Sequence, residues 1–533
     1  MNHWRTLYHL MRADLFERAR RYSLLITLGF IIFAAYVYIS PKEAHYLTLG
    51  LGNYRGVYNS AWVGGAVAVL CSGLLSLPAF YLVKNAVERD ERTRVGQIIA
   101  TTPLSKPLYT LGKAFSNFVF LALMVGVIAV AAAAMQLIRG ESFRLDLWAL
   151  LAPFVFSILP AMAMIASVAL LFETISWLRG TLGNVVYFFL WLGVLIATAA
   201  SIPADPRQIA VPANDVWGIS VISSSMMQAT AAAFPAYQGG FAIGAAELPA
   251  PLQTFTWEGI HWTSEIILGR LLWFGAAIGL SLIASLFFRR FDPASRKQKR
   301  TRGVPVAQPP EPDTAPSVAP VEPIHLTPLT ARFQPGPWSL LMVELRAMLK
   351  GMRWWWFVVA LGLIVAGLLV PPDVARQILP VAWLWPLALW SSMGCREVRY
   401  GASQLVFSAS HLLQRQLPAL WLAGVVVTVL TGGGVAVNFA LAGEWAHLLA
   451  WLTAVLFIPT LALALGTWSG SNKLFEVVYM IWWYAGPVNR VPYLDFMGTG
   501  EHVSIGVLLV YWIGTITLLG LAVLGRRRQV QAR

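Results

Sequence analysis

Charge is what this sequence has least of. Only 12% of its 533 residues are Asp, Glu, Lys or Arg, against 57% hydrophobic, whereas a soluble chain carries about 25% charged residues. That deficit excludes an ordinary soluble domain. Together with a mean hydropathy of +0.64 and repeated long charge-free runs, it places the chain in a lipid bilayer. Cysteine is almost absent: Cys71 and Cys395 give neither a disulfide framework nor metal spacing. Nucleotide and hydrolase signatures are missing as well. There is no G-x-x-x-x-G-K-[ST] to cradle phosphates, no H-E-x-x-H and no G-x-S-x-G, and the eight histidines are scattered without zinc spacing. The one faint Gly-rich stretch, GLGNYRG at 50–56, lacks the third glycine of a dinucleotide turn. An enzyme built on a common motif is therefore not expected, nor a metal or cofactor site in the chain itself.

What is present is apolar sequence in long pieces. Twelve segments have spanning character, near 22–39, 59–83, 114–138, 147–172, 181–202 and 265–288, then 354–370, 377–395, 416–442, 446–468, 474–489 and 503–524. About 20 helical residues cross the hydrocarbon, so the expected fold is an all-α polytopic membrane protein with about twelve transmembrane helices. The eleventh segment, KLFEVVYMIWWYAGPVN, is short enough for a re-entrant hairpin. Parity argues for keeping it, since twelve spans leave most of the 39 lysines and arginines, including those of the terminal GRRRQVQAR, on the side of the N-terminus. By the positive-inside bias that side is cytoplasmic, and both termini lie there. The net charge of +14 thus reads as topology rather than as a nucleic-acid surface. No small-residue cleavage site follows the first run, so it reads as an uncleaved span.

The chain reads as two six-span halves, 1–290 and 338–533, joined by a Pro-rich stretch, 291–337, without hydrophobic periodicity and expected to be a disordered cytoplasmic linker. Each half opens on an amphipathic stretch expected to lie in the membrane interface. Trp4, Leu7, Tyr8, Met11 and Leu15 share one helical face, as do Trp338, Leu341, Met342, Leu345 and Met348. Between its second and third spans each half carries a charged loop, and RDERTRVGQIIAT (89–101) aligns without gaps on REVRYGASQLVFS (396–408). Arg89, Asp90, Arg92 and Gln97 correspond to Arg396, Glu397, Arg399 and Gln404. Halves with an even number of spans are parallel repeats, with a pseudo-two-fold axis along the membrane normal and a pathway between them. The long outer segment 203–262 is expected to cap the outer mouth, and Glu265 with Arg270 to form an interfacial pair.

The first loop mixes both signs and adds an apolar Val95, Ile98, Ile99 face and a Thr102-Pro103 turn. A short helix with an exposed apolar stripe calls for a groove in another protein. DERTRVGQIIATTPLSKPLYTLGK (90–113) resembles the first cytoplasmic loop of type-two ABC exporter permeases, in which an acidic-basic-acidic run and a helix precede Thr-Pro-x-Ser and Gly-Lys. Thr102-Pro103-Leu104-Ser105 and Gly112-Lys113 match in order and spacing, and Asp90-Glu91-Arg92 matches loosely. The family's Gly-Thr pair is replaced by Arg94-Val95, with Gly96 just after. In the second half Ser410 stands where Pro103 does in the first, and Gly-Lys is absent.

The resemblance implies a permease subunit with no nucleotide site of its own, exporting a substrate by alternating access between the halves. ATP and magnesium would sit on separate cytosolic ABC ATPase subunits, two copies, and the membrane would be a bacterial cytoplasmic (inner) membrane. It implies a coupling loop carrying Asp90, Glu91, Arg92, Gly96, Gln97, Thr102, Pro103, Ser105 and Lys113. A second contact is implied at ETISWLRG (173–180), with Glu173, Trp177 and Arg179, and a second coupling loop with Arg396, Glu397, Arg399 and Gln404. The alternative on the same topology is a twelve-span secondary transporter not coupled to ATP, which calls for acidic residues deep in the spans. A membrane-embedded transferase is a third class, and would need polar residues converging at one membrane face.

Overall fold

The computed structural model describes residues 3–19, 46–208, 215–247, 252–288, 291, 336–408, 412–491 and 493–531. Most of the described residues are helical. Among the described residues, eight helices are long and apolar enough to cross a membrane, or nine if one bent pair is a single span. The chain divides into two compact units, Met1–Lys297 and Gln298–Arg533. The expected first span, 22–39, lies outside the described residues, as does nearly all of the linker.

The first unit begins with α1 (His3–Ala19) and two short strands, β1 (Tyr46–Gly50) and β2 (Tyr54–Gly56). Asn59 then caps α2 (Ser60–Leu70) by accepting the Trp62 N–H at 2.8 Å. A π turn at Cys71–Leu75 leads into α3 (Ser76–Val83), and two short helices follow, α4 (Ala86–Arg92) and α5 (Val95–Thr101). The 34-residue α6 (Lys106–Arg139) starts with a proline in its first turn. Asp146 caps α7 (Leu147–Pro153), which continues through a π turn at Phe154–Ile158 into α8 (Leu159–Thr174). Then come α9 (Thr181–Ala200), α10 (Ile219–Ala233), β3 (Ala242–Glu247), β4 (Gln253–Phe255) and α11 (Ser264–Phe287).

The strands were not expected. β1 pairs antiparallel with β3, and β2 parallel with β4, so the segment after α9 is stitched to the one before α2. The helix inside 203–262 is not a cap lying outside the bundle either. Ile219 approaches Gly73 of the π turn, and Met226 approaches Gly65 of α2. Gly73 lies about 20 Å along the helix from its start at Ser60, at roughly 1.5 Å per residue. Asp215 fixes the entry, its buried carboxylate accepting from the N–H groups of Gly218 at 2.8 Å and Ser220 at 2.6 Å. Arg270, 1% exposed, does not pair with Glu265. It donates to the carbonyls of Phe156, Ser157, Asp215 and Val216, tying α11 to the π turn and to the start of α10. Pro160, four residues after Phe156, has no N–H to offer that carbonyl, and the guanidinium supplies a donor in its place.

The second unit opens on α12 (Pro337–Leu349), which meets α13 (Trp354–Leu369) at a bend of 106°. There follow α14 (Pro372–Leu384), α15 (Leu387–Trp390), α16 (Arg396–Arg399), α17 (Ser403–Phe407), α18 (Leu412–Ala442) and α19 (Trp445–Ser469). The unit closes with α20 (Lys473–Trp483), a π turn at Tyr484–Val488, and α21 (Ile505–Gln531). Segment 377–395 is broken: α14 stops before Pro386, and the chain turns through Gly394 at φ +74°. Segment 474–489 holds only the eleven residues of α20 and the π turn. The core is glycine-dependent at α13–α18, where a Cβ on Gly434 would lie 1.9 Å from the Ile364 carbonyl oxygen.

Candidate functional site

In the first unit the charged loop folds as two helices that are too short to hold themselves. Four backbone N–H groups at the start of α4 donate to the buried carboxylate of Glu173: those of Asn85 at 2.5 Å, Ala86 at 2.9 Å, Val87 at 2.6 Å and Glu88 at 3.4 Å. The acid thus supplies a helix start with the acceptors and negative charge it lacks. Behind α4, Asp90 accepts from the Tyr109 hydroxyl at 2.7 Å and pairs with Lys113 at 2.9 Å. Lys113 also holds Asp14 of α1 at 3.0 Å, and Arg89 closes the ring to Asp14 at 3.4 Å and Glu17 at 3.1 Å. Under the loop lies an apolar floor that includes Val87, Leu104, Tyr109 and Leu170, with Phe291 packed against it.

The turn between α4 and α5 passes through Arg94 at φ +60°. Gly96 is buried against Phe291, whose ring a Cβ would meet at 2.6 Å. What remains outward is Ile98, 67% exposed, with Val95, Gln97, Thr102, Pro103 and Ser105. Segment 173–180 joins the same surface. Arg179 donates to the Glu173 carbonyl and pairs with Glu91 at 3.2 Å, and Trp177 stands 62% exposed beside it in sequence.

The second unit builds a corresponding loop. The gapless alignment puts Gly401, φ +68°, where Arg94 stands. It puts buried Ser403 at Gly96, exposed Gln404 at Gln97, and Leu405, 80% exposed, at Ile98. Carried further, it sets Gln416 at Tyr109, and both reach back to the loop acid: Gln416 donates to Glu397 at 3.2 Å. Glu344 of α12 pairs with Arg396 and accepts from Gln416 at 3.2 Å, as Asp14 of α1 holds Arg89. Glu397 is also forked by Arg526 of α21, at 3.0 and 3.3 Å. Burial pushes its carboxyl up, but the Arg526 guanidinium, a backbone N–H and Arg396 together outweigh this and hold it below the ordinary carboxylate value.

The residues expected to contact a partner therefore divide in two. Asp90, Gly96, Lys113, Glu173 and Glu397 are buried and hold the loops from behind. Glu91, Gln97, Thr102, Pro103, Ser105, Trp177 and Gln404 are exposed, with Arg179, Arg396 and Arg399 partly so. The side chain of Arg92 lies outside the described residues. Sequence reading missed Asp14, Glu344, Gln416 and Arg526. Glu344 could have been found as the lone acid of an amphipathic helix, because α12 buries Leu341, Glu344 and Met348 while exposing Trp338 and Met342. No family model matches this chain, and no curated protein matches it.

Proposed function

We propose that the chain is the membrane-spanning permease subunit of an ATP-driven ABC transporter of the type-two exporter kind. In this reading twelve spans form two parallel six-helix repeats, and two separate cytosolic ATPase subunits, which hold ATP and magnesium, dock beneath residues 88–107 and 396–411. Closure of the ATPase pair displaces both loops and rocks the halves, moving substrate outward across a bacterial inner membrane. The ATPase drives this only by binding the two permease states with different free energies.

One observation carries the reading. Both loops present an aliphatic side chain, Ile98 on α5 and Leu405 on α17, at the same aligned position, more than 60% exposed on the short helix that follows the one braced by buried acid–base contacts. An isolated exposed leucine means little. Two at one register, each on a short helix joined by a left-handed turn to a braced one, suit insertion into a partner's groove. The described buried acids of the loops are spent on backbone N–H groups and on cations, which leaves them unsuited to carrying coupling ions.

The test is co-purification of the full chain with a co-expressed P-loop ABC ATPase subunit, taken from a neighbouring gene where one is encoded, comparing wild type with Ile98→Asp/Leu405→Asp and with Glu91→Ala/Pro103→Ala. Loss of the ATPase in both variants, with unchanged thermal unfolding, supports the docking surfaces. Retention in both, or no ATPase with the wild type, overturns the reading.

A further inference from the structure

The forked pair between Glu397 and Arg526 asks for an explanation that stability does not supply. Glu397 is 4% exposed and Arg526 1%, and burying both charges costs about as much as their attraction returns, so an apolar pair of the same size would serve the core as well. What the pair does supply is geometry, because two parallel N–H···O contacts fix distance and angle together. The guanidinium also lies 5.1 Å over the ring of Phe407, the last residue of α17. One turn on, Gln529 donates to the carbonyls of Gly394 at 3.3 Å and Thr467 at 2.7 Å. Arg526 itself donates to the Gln529 side chain at 3.0 Å. The last turns of α21 thus grip the second loop at both of its short helices and just ahead of its start. In the first unit the aligned acid, Asp90, finds its described partners on α6 instead.

We infer that Arg526 is a positioning residue that makes α21 the lever of the second loop. A displacement of α16 and α17 passes through the Glu397–Arg526 fork into the full length of α21, while the braces on Gly394 and Thr467 keep the contact in register. The functional side of this inference rests on the docking role proposed for the loops. The rigid joint stands on the geometry alone.

The experiment uses the full chain in lipid nanodiscs, with Cys71→Ser and Cys395→Ser as background and spin labels at Tyr400→Cys and Leu524→Cys, both exposed. The expected distance distribution is single and narrow in the parent chain. It is lost to a broad one in Arg526→Gln and regained in the charge swap Glu397→Arg/Arg526→Glu. The apolar pair Glu397→Leu/Arg526→Met serves as the control for a merely structural role, and should regain the parent unfolding temperature but not the narrow distribution. A narrow distribution in Arg526→Gln, or one restored by the apolar pair, overturns the inference. With the ATPase bound, Arg526→Gln should hydrolyse ATP while losing transport. Failure of any ATPase to bind the parent chain would sink the docking reading and leave the joint to be judged on the distances.

Discussion

Glu173 and Trp177 lie four residues apart and should fail differently. Glu173→Ala strands four buried or half-buried N–H groups at the start of α4, and leaving even one such donor unmet costs about 1–3 kcal/mol. The expected result is a lower unfolding temperature and faster tryptic cleavage at Arg92 and Arg94. Trp177→Ala removes an exposed ring, so unfolding should shift by no more than about 0.5 kcal/mol, while the docking proposed above requires binding of the ATPase subunit to fall. Acid gives a further residue-scale expectation. The Glu397 carboxyl is held below its ordinary value, so the pair's stabilisation is present above the unfolded-state value, about 4.3 for Glu, and is lost as pH falls through the lower folded one. Unfolding temperature measured between pH 6 and pH 3 should drop more in wild type than in Glu397→Gln, which starts lower at neutral pH. Equal slopes would count against the sign.

The elements explain which parts of the architecture could be read in advance. Long charge-free runs announce α6, α8, α9, α11, α18, α19 and α21, because membrane spans are written locally, one residue after another. The loop correspondence was equally open: aligned residues 89–101 and 396–408 reappear as helix, left-handed turn, helix in both units. The inward path of α10 was not legible. It depends on Arg270 meeting carbonyls from residues 54 to 114 positions away, and no local pattern encodes such a meeting. The β1–β3 pairing is hidden for the same reason, since Tyr46 and Glu247 stand far apart in the chain. One expectation changes in consequence. Removing residues 215–233 should not merely alter an outer gate, because it withdraws a buried helix from between α2 and α9. Arg270→Met alone should destabilise the first unit on the order of 3 kcal/mol, by leaving buried carbonyls unmet, and detergent-solubilised protein would reveal it as a fall in unfolding temperature.

For the molecule as a whole, the two loops make a prediction about sidedness. If both halves run parallel, single cysteines at Ile98 and Leu405 should react with a membrane-impermeant maleimide from one side, and a cysteine at Glu501 from the other. Labelling of Ile98 and Leu405 from opposite sides would end the parallel arrangement. Such experiments have a quiet background, because both native cysteines are buried.

The grip of α21 on the second loop also decides how this chain tolerates shortening. A stop after Leu524 keeps the apolar length of the last helix and would insert normally. Yet it discards Arg526 and Gln529, and with them the contacts to Glu397, Gly394 and Thr467. The basic residues that look like a disposable topology signal include the bolt and the washer of a joint. On the inference drawn above, a terminus trimmed there would give protein that reaches the membrane with its second loop no longer held by α21.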